Sequence, residues 1–428
     1  MQAPDQRVAA QSAGGDAHPA RWRMLGILTV AELLGMMLWF AASAVSAQYT
    51  ARWSLTASQA AWLTTVVQLG FVAGTATSAL LSVPDIVPAR SLFAVSALLG
   101  AAANAMLLQS EHLSGALVWR FVTGLALAGV YPPAMKMIAT WFRVQRGLAV
   151  GTIVGALTVG KALPYLVHAI PGAGITPVVS SASVGACVAA LLVWFGYREG
   201  PYPFPARPLS WSLVRDMVQT PVWRSRVVHD VVTTPAWRLS TAGYLGHMFE
   251  LYAAWTWLPV FIAASIAVSH PTAGARGTSV ASAIAFAALA IGGIGCIWGG
   301  FVADRRGRPW LVTRALAMSG TCSVLIGFAF GRSLWLLVPI ALVWGFFVIA
   351  DSAQFSVLVT ESVPPHAVGT ALTLQTSLGF LLTAVVIQLV PPLAELVGWR
   401  WAFAGLSLGP LFGIAAIRRL VRLTAGHR

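Results

Sequence analysis

The chain has 428 residues, 57% of them hydrophobic and only 9% charged. A soluble domain carries about 25% charged residues, so this composition excludes a soluble enzyme, a disordered chain and a secreted disulfide scaffold. The net charge of +14 comes almost wholly from arginines in short hydrophilic gaps, with no basic patch interleaved with aromatics, which excludes nucleic-acid binding.

A membrane helix needs about 20 predominantly apolar residues. Such runs fall near 24–47, 60–82, 91–109, 116–141, 148–168, 176–197, 240–265, 279–302, 310–330, 334–359, 369–391 and 400–417. The first follows Arg21 and Arg23 and contains Ala42-Ser43-Ala44, which resembles a signal-peptide cleavage site. Its length and Glu32 favour a retained first helix instead. Cys187, Cys296 and Cys322 lie in separate runs, so neither a disulfide framework nor a metal site is implied.

With the N-terminus inside, Arg52, Arg276, Arg332 and Arg400 are the only cations outside, while the other extramembrane arginines are all inside. The positive-inside rule therefore puts both termini in the cytoplasm, and a bacterial cytoplasmic membrane suits the chain. The expected organisation is a tail at 1–23, six spans over 24–197, a cytoplasmic linker at 198–238, six spans over 239–417 and a second tail at 418–428. The linker carries a local repeat: Val214 to Arg224 is echoed by Val228 to Arg238. Each copy reads as a short interfacial helix, with Trp223 or Trp237 available at headgroup level, as a plain duplicated spacer, or as a binding site for a partner.

The two halves echo one another. Gly300-Phe-Val-Ala-Asp304-Arg305-Arg-Gly307-Arg308 follows the eighth run, and a weaker copy containing Asp85 and Arg90 follows the second. Repeated halves are a transporter plan. Twelve spans, a central loop and this motif resemble the major facilitator superfamily. The resemblance implies an all-α membrane protein of twelve helices in two pseudo-symmetric six-helix halves. It implies a cytoplasmic gate in which Asp304 accepts bonds across the domain interface, resting on Gly300, Asp304, Arg305, Gly307 and Arg308, with Asp85 as the remnant in the first half. Arg120-Phe-Val-Thr-Gly124, running on to Tyr131, resembles the family's proton-coupling motif of the fourth span. Gly151, Gly155 and Gly160 loosely resemble its glycine-rich fifth span. The family uses spans 1, 4, 7 and 10 to line a central cavity.

Ionisable groups inside spans are expensive, about 2.5–3.5 kcal/mol each at mid-membrane, and usually face a cavity or a partner. Here they are Glu32, Arg120, Lys136, Lys161, His247, Glu250 and Asp351. Glu250 lies about 15 Å into its span, at mid-membrane. Glu32 holds the matching place in the first half. His247, Glu250 and Tyr244 share a helix face at a spacing of three, which suits a proton relay. Glu250, Glu32, His247 and Asp351 are therefore the candidates for proton coupling. Arg120 is permanently charged and needs an anion, either Glu32 or a substrate. Arg120, Lys161, Tyr131, Tyr244, Trp39 and Trp255 are the substrate-binding candidates. Lys136 either snorkels to the cytoplasmic surface or pairs with Asp351.

The expected function is secondary active transport of a small solute by alternating access, coupled to protons, with an organic anion or zwitterion favoured. The alternatives are a proton-driven exporter of drugs or metabolites, and a sensor or scaffold that keeps the fold without moving a solute. An enzyme is not expected, since no Ser–His, paired-Asp or metal-ligand pattern is present. No cofactor is implied. The partners are the substrate, protons and the bilayer, and the chain is taken as a monomer.

Overall fold

The computed structural model describes residues 18–81, 83–143, 145–203, 226–364 and 367–425. Arg7, the first copy of the linker repeat with Trp223, and the side chain of Asp85 lie outside the described residues. Among the described residues, twelve helices are long and apolar enough to cross a membrane. In chain order these spans 1 to 12 are Ala20–Ala44, Ala57–Ser78, Ala89–Gln109, Leu113–Ala139, Gly147–His168, Ile175–Gly196, Pro235–Ser269, Gly274–Arg306, Arg308–Ala329, Leu334–Ser362, Val368–Val397 and Trp399–Ala425. Hydropathy located all of them. It underestimated the length of the second-half spans, because span 7 starts at Pro235 and span 8 runs on through polar Arg306.

Twelve alternating spans return both ends of the chain to one side, here the termini side; the other is the distal side. At the termini side, the Trp141 indole N–H donates to the Arg198 carbonyl, 3.0 Å, so spans 4 and 6 end together. The second linker copy also contributes there. Arg226–Thr233 is helical, and Val231 and Trp237 pack against Val359, Val363 and Ala371. Trp237 does not present its ring to the surroundings: the ring is buried, and its N–H donates to the Ala371 carbonyl, 3.2 Å. Inside protein, that carbonyl offers the indole the partner that water would otherwise supply.

Span 12 is interrupted at Phe403, and spans 1, 4 and 10 each break beside a candidate residue. Span 1 divides at Met36, between helices Ala20–Gly35 and Met37–Ala44. Span 4 divides before Tyr131, because Pro132 and Pro133 carry no N–H to continue the ladder. Span 10 divides at Asp351, between Leu334–Ala350 and Ser352–Ser362.

Close helix approaches rest on absent side chains. A Cβ on Gly155 of span 5 would meet the Gly293 carbonyl of span 8 at 3.1 Å, so the two halves touch backbone to backbone there. A Cβ on Gly160 would collide with the carbonyl of Leu33 in span 1. In membranes, where apolar burial drives little association, such small-residue contacts carry the packing.

Candidate functional site

A cavity of about 120 Å³ lies between the halves. Its wall on span 7 is a stripe at helical spacing, Tyr244, Met248, Tyr252 and Trp255, faced by Trp39, Tyr131 and Lys161 from the first half. Ser352 and Ser356 of span 10 and Thr376 of span 11 add hydroxyls. A second chamber of about 260 Å³ adjoins it through Phe71, Tyr131 and Thr376. That chamber reaches Ser78, Leu92 and Thr373, all near the termini-side ends of their spans, so the pair of chambers leads toward the termini side.

An aromatic layer closes the distal side. Trp39 packs on Tyr252 and Phe380 at 5.9 and 5.7 Å between ring centroids, and Phe71 packs on Phe380 at 4.9 Å. Each pair joins the first half to the second. Beyond the layer, Gln388 donates to the Thr65 hydroxyl at 3.1 Å. His168 bonds Ser282 across the halves at 2.8 Å through Nδ1, and Gln48 at 2.7 Å through Nε2. His168 is buried at the end of span 5 and was not among the sequence candidates. At a span end, its sequence looks like that of any interfacial polar residue.

Lys161 is the one charged side chain lining the cavity among the described residues. Its ammonium donates to the Tyr252 hydroxyl at 2.6 Å and sits 4.0 Å from the centre of the Trp39 ring. Tyr252 and Trp255 lie within cation–π reach as well, at 4.9 and 5.9 Å. This cage spans the two halves. Tyr252, its main partner, was not a sequence candidate, although it sits two helical turns beyond Tyr244 on the same face. The indole N–H groups of Trp39 and Trp255 are buried with no hydrogen-bond partner. The cavity wall is therefore rich in donors and carries no carboxylate among the described residues.

The other buried ionisable groups stand behind this wall. Arg120 is wholly buried, and its fork donates to the carbonyls of Leu63, Leu38 and Trp39 at 2.9, 2.9 and 2.5 Å. It ties spans 1, 2 and 4 together. The expected anion partner, Glu32 or substrate, is replaced by three carbonyl dipoles, because a guanidinium fork can satisfy its donors on backbone alone. Glu250 accepts from Ser319 at 2.7 Å and from the Trp344 indole at 2.8 Å, both within the second half. His247 instead meets Asp351 at 2.9 Å. The His247–Glu250 relay expected from their spacing is thus divided: one side chain turns to span 9, the other to the break in span 10. Asp351 has His247 as its neighbour, not the Lys136 considered for it. Glu32 is wholly buried, with both carboxyl oxygens lacking a hydrogen bond, and Lys161 acts on it electrostatically.

The gate motif lies at the termini side. Gly307 takes φ +86 and ends span 8, its N–H donating to the Ala303 carbonyl, a conformation that favours glycine. Arg308 donates to Glu361 at 2.7 Å, and Arg305 stacks on Phe301 at 3.9 Å. Both contacts stay in the second half. Asp304 is exposed and makes no ion pair among the described residues, so the cross-domain bond expected of it is absent in a state whose chambers lead to this side. No group of His, Cys, Asp and Glu among the described residues could hold a metal ion.

Two six-helix halves around a central chamber, closed at one end and leading out at the other, define a membrane transporter. The family model of the Major Facilitator Superfamily matches residues 27–387, and the chain belongs to that family. A bacterial homologue of the human lysosomal transporter Spinster, solved inward-facing and unoccupied, superposes with a TM-score of 0.71 at 14% identity, covering 95% of this chain and 98% of that one. The nucleoside transporter NupG superposes with a TM-score of 0.67 at 15% identity, covering 93% and 99%. At these identities the likeness is one of fold. No curated protein matches the chain in sequence.

Proposed function

We propose that the protein moves a small organic anion across the membrane by alternating access, with protons as the coupling ion. The observation that carries this reading is Lys161, the one cation in a cavity otherwise lined by aromatic, aliphatic and hydroxyl side chains among the described residues. The unpartnered indole N–H groups of Trp39 and Trp255 support it, because an anion brings acceptors. A cationic substrate fits less well: the aromatic cage already holds a tethered ammonium, and Glu32 and Glu250 do not line the cavity.

For the proton, His247 and Asp351 are the leading pair. Tyr244 and Met248, on either side of His247, and Ser352, next to Asp351, all line the cavity, so the pair stands one layer behind the substrate. Buried carboxylates and imidazoles inside spans are the usual proton carriers. Glu32 is the carrier for the first half. Glu250, held by two donors away from the cavity, ranks behind them. With both termini cytoplasmic, as the arginine distribution argues, the present state faces inward.

The test is uptake of aromatic and aliphatic carboxylates into proteoliposomes under an imposed pH gradient, alongside exchange without a gradient. Lys161→Gln loses both activities, while Asp351→Asn loses only gradient-driven accumulation. Normal uptake by Lys161→Gln overturns the anion site. Coupling that survives in Asp351→Asn and vanishes in Glu250→Gln moves the carrier to Glu250.

A further inference from the structure

We infer that the substrate is an amphipathic monoanion, its charged head against Lys161 and an apolar body lying in the second chamber. This rests on the anion reading above and deepens it. The two chambers share Phe71, Tyr131 and Thr376, so one ligand can occupy both. They differ in chemistry. The first holds the ammonium of Lys161. The second is larger and carries no charged side chain among the described residues; its apolar walls include Leu92, Leu372, Pro132 and Pro133, with hydroxyl-bearing Thr75, Ser78 and Thr373 between them and Tyr131 and Thr376 at the junction.

A compact anion would fill only the first chamber. The second would then hold water against apolar walls, a poorer arrangement than burying apolar ligand surface there. From Phe71 to Ser78 is seven residues of span 2, about 10 Å along the helix. That length accommodates a medium-chain acyl group or a fused ring system. A charged head at the closed distal end and a tail toward the termini side also fix the ligand's orientation.

The experiment titrates the full chain in nanodiscs with butyrate, hexanoate, octanoate and decanoate, reading affinity by calorimetry and by thermal stabilisation. Affinity is expected to rise about fourfold per methylene, which corresponds to about 0.8 kcal/mol, until the second chamber is full. Ser78→Trp and Thr373→Trp each place a bulky ring in that chamber. In both variants the rise with chain length flattens while butyrate binds as before, and unchanged butyrate binding also reports an intact fold. Failure of every anion to bind, or binding that survives in Lys161→Gln, sinks the anion reading itself. Lys161-dependent butyrate binding with no gain from length overturns the amphipathic inference alone. A length dependence that persists in both tryptophan variants reports partition into the bilayer and overturns it too.

Discussion

Tyr252→Phe removes the hydroxyl that accepts from Lys161 across the halves at 2.6 Å. A hydrogen bond with one charged partner is worth about 1.5–3 kcal/mol. The ring stays, so the stacking of Trp39 and Phe380 on it stays, and Lys161 keeps its place over Trp39 at 4.0 Å. The bond joins the two halves with the distal side closed, and on the reading that it latches them its removal acts on that state alone. The equilibrium should shift toward the distal-open state by about 10- to 150-fold. A distal-open population of about 1% would rise to roughly 10–60%. The assay is a spin-label distance between Arg52→Cys and Arg332→Cys, exposed positions on the distal ends of opposite halves. Cys187, half-buried, is first replaced by serine; Cys296 and Cys322 are buried and remain. A longer distance component that grows in Tyr252→Phe meets the expectation. An unchanged distribution would refute the idea that Lys161 latches the halves.

Arg120→Lys keeps the charge but not the fork, and a lysine cannot reach carbonyls on both span 1 and span 2. Losing two charge-assisted bonds should cost about 3–6 kcal/mol, seen as a melting temperature lowered by several degrees; an unshifted melt would mean that Arg120 does not hold those spans. Gly160→Val drives a side chain into the Leu33 carbonyl and should cost about 1–3 kcal/mol of overpacking, read from thermal unfolding, and a wild-type melt would mean that spans 1 and 5 are looser than their geometry. Ser282→Ala removes the His168 bond between the halves, and should enlarge the distal-open component in the same spin-label assay by less than Tyr252→Phe, since its bond carries no fixed charge.

Hydropathy made the spans legible because length and apolarity are local properties. Every span was located, and the misplaced ends are those where a helix extends past the apolar run, as at Pro235 and Arg306. The buried charges were legible as exceptions for the same reason. Their partners were not. His247 and Glu250 share a face by spacing, yet which neighbouring helix each meets depends on tertiary packing, and a side chain's reach decides between them. Arg120 reads as a residue that needs an anion until the carbonyls at the distal end of span 1 are brought beside it. Tyr252 could have been found: Tyr244, Met248, Tyr252 and Trp255 form a stripe with helical period, and that stripe is the cavity wall. His168 could not, because its role needs Gln48 and Ser282, more than 100 residues away on either side.

The sign of the charge that the cavity accepts is the central claim, and a matched pair of ligands tests it most directly. Benzoate and benzylamine have similar shape and opposite charge. At 100 times its dissociation constant, a ligand that binds only the folded state stabilises it by about 2.7 kcal/mol. Benzoate is expected to raise the melting temperature of the wild type, to lose that effect in Lys161→Gln, and benzylamine to leave both proteins unmoved. Stabilisation by benzylamine and none by benzoate would contradict the account and make the cavity a cation site.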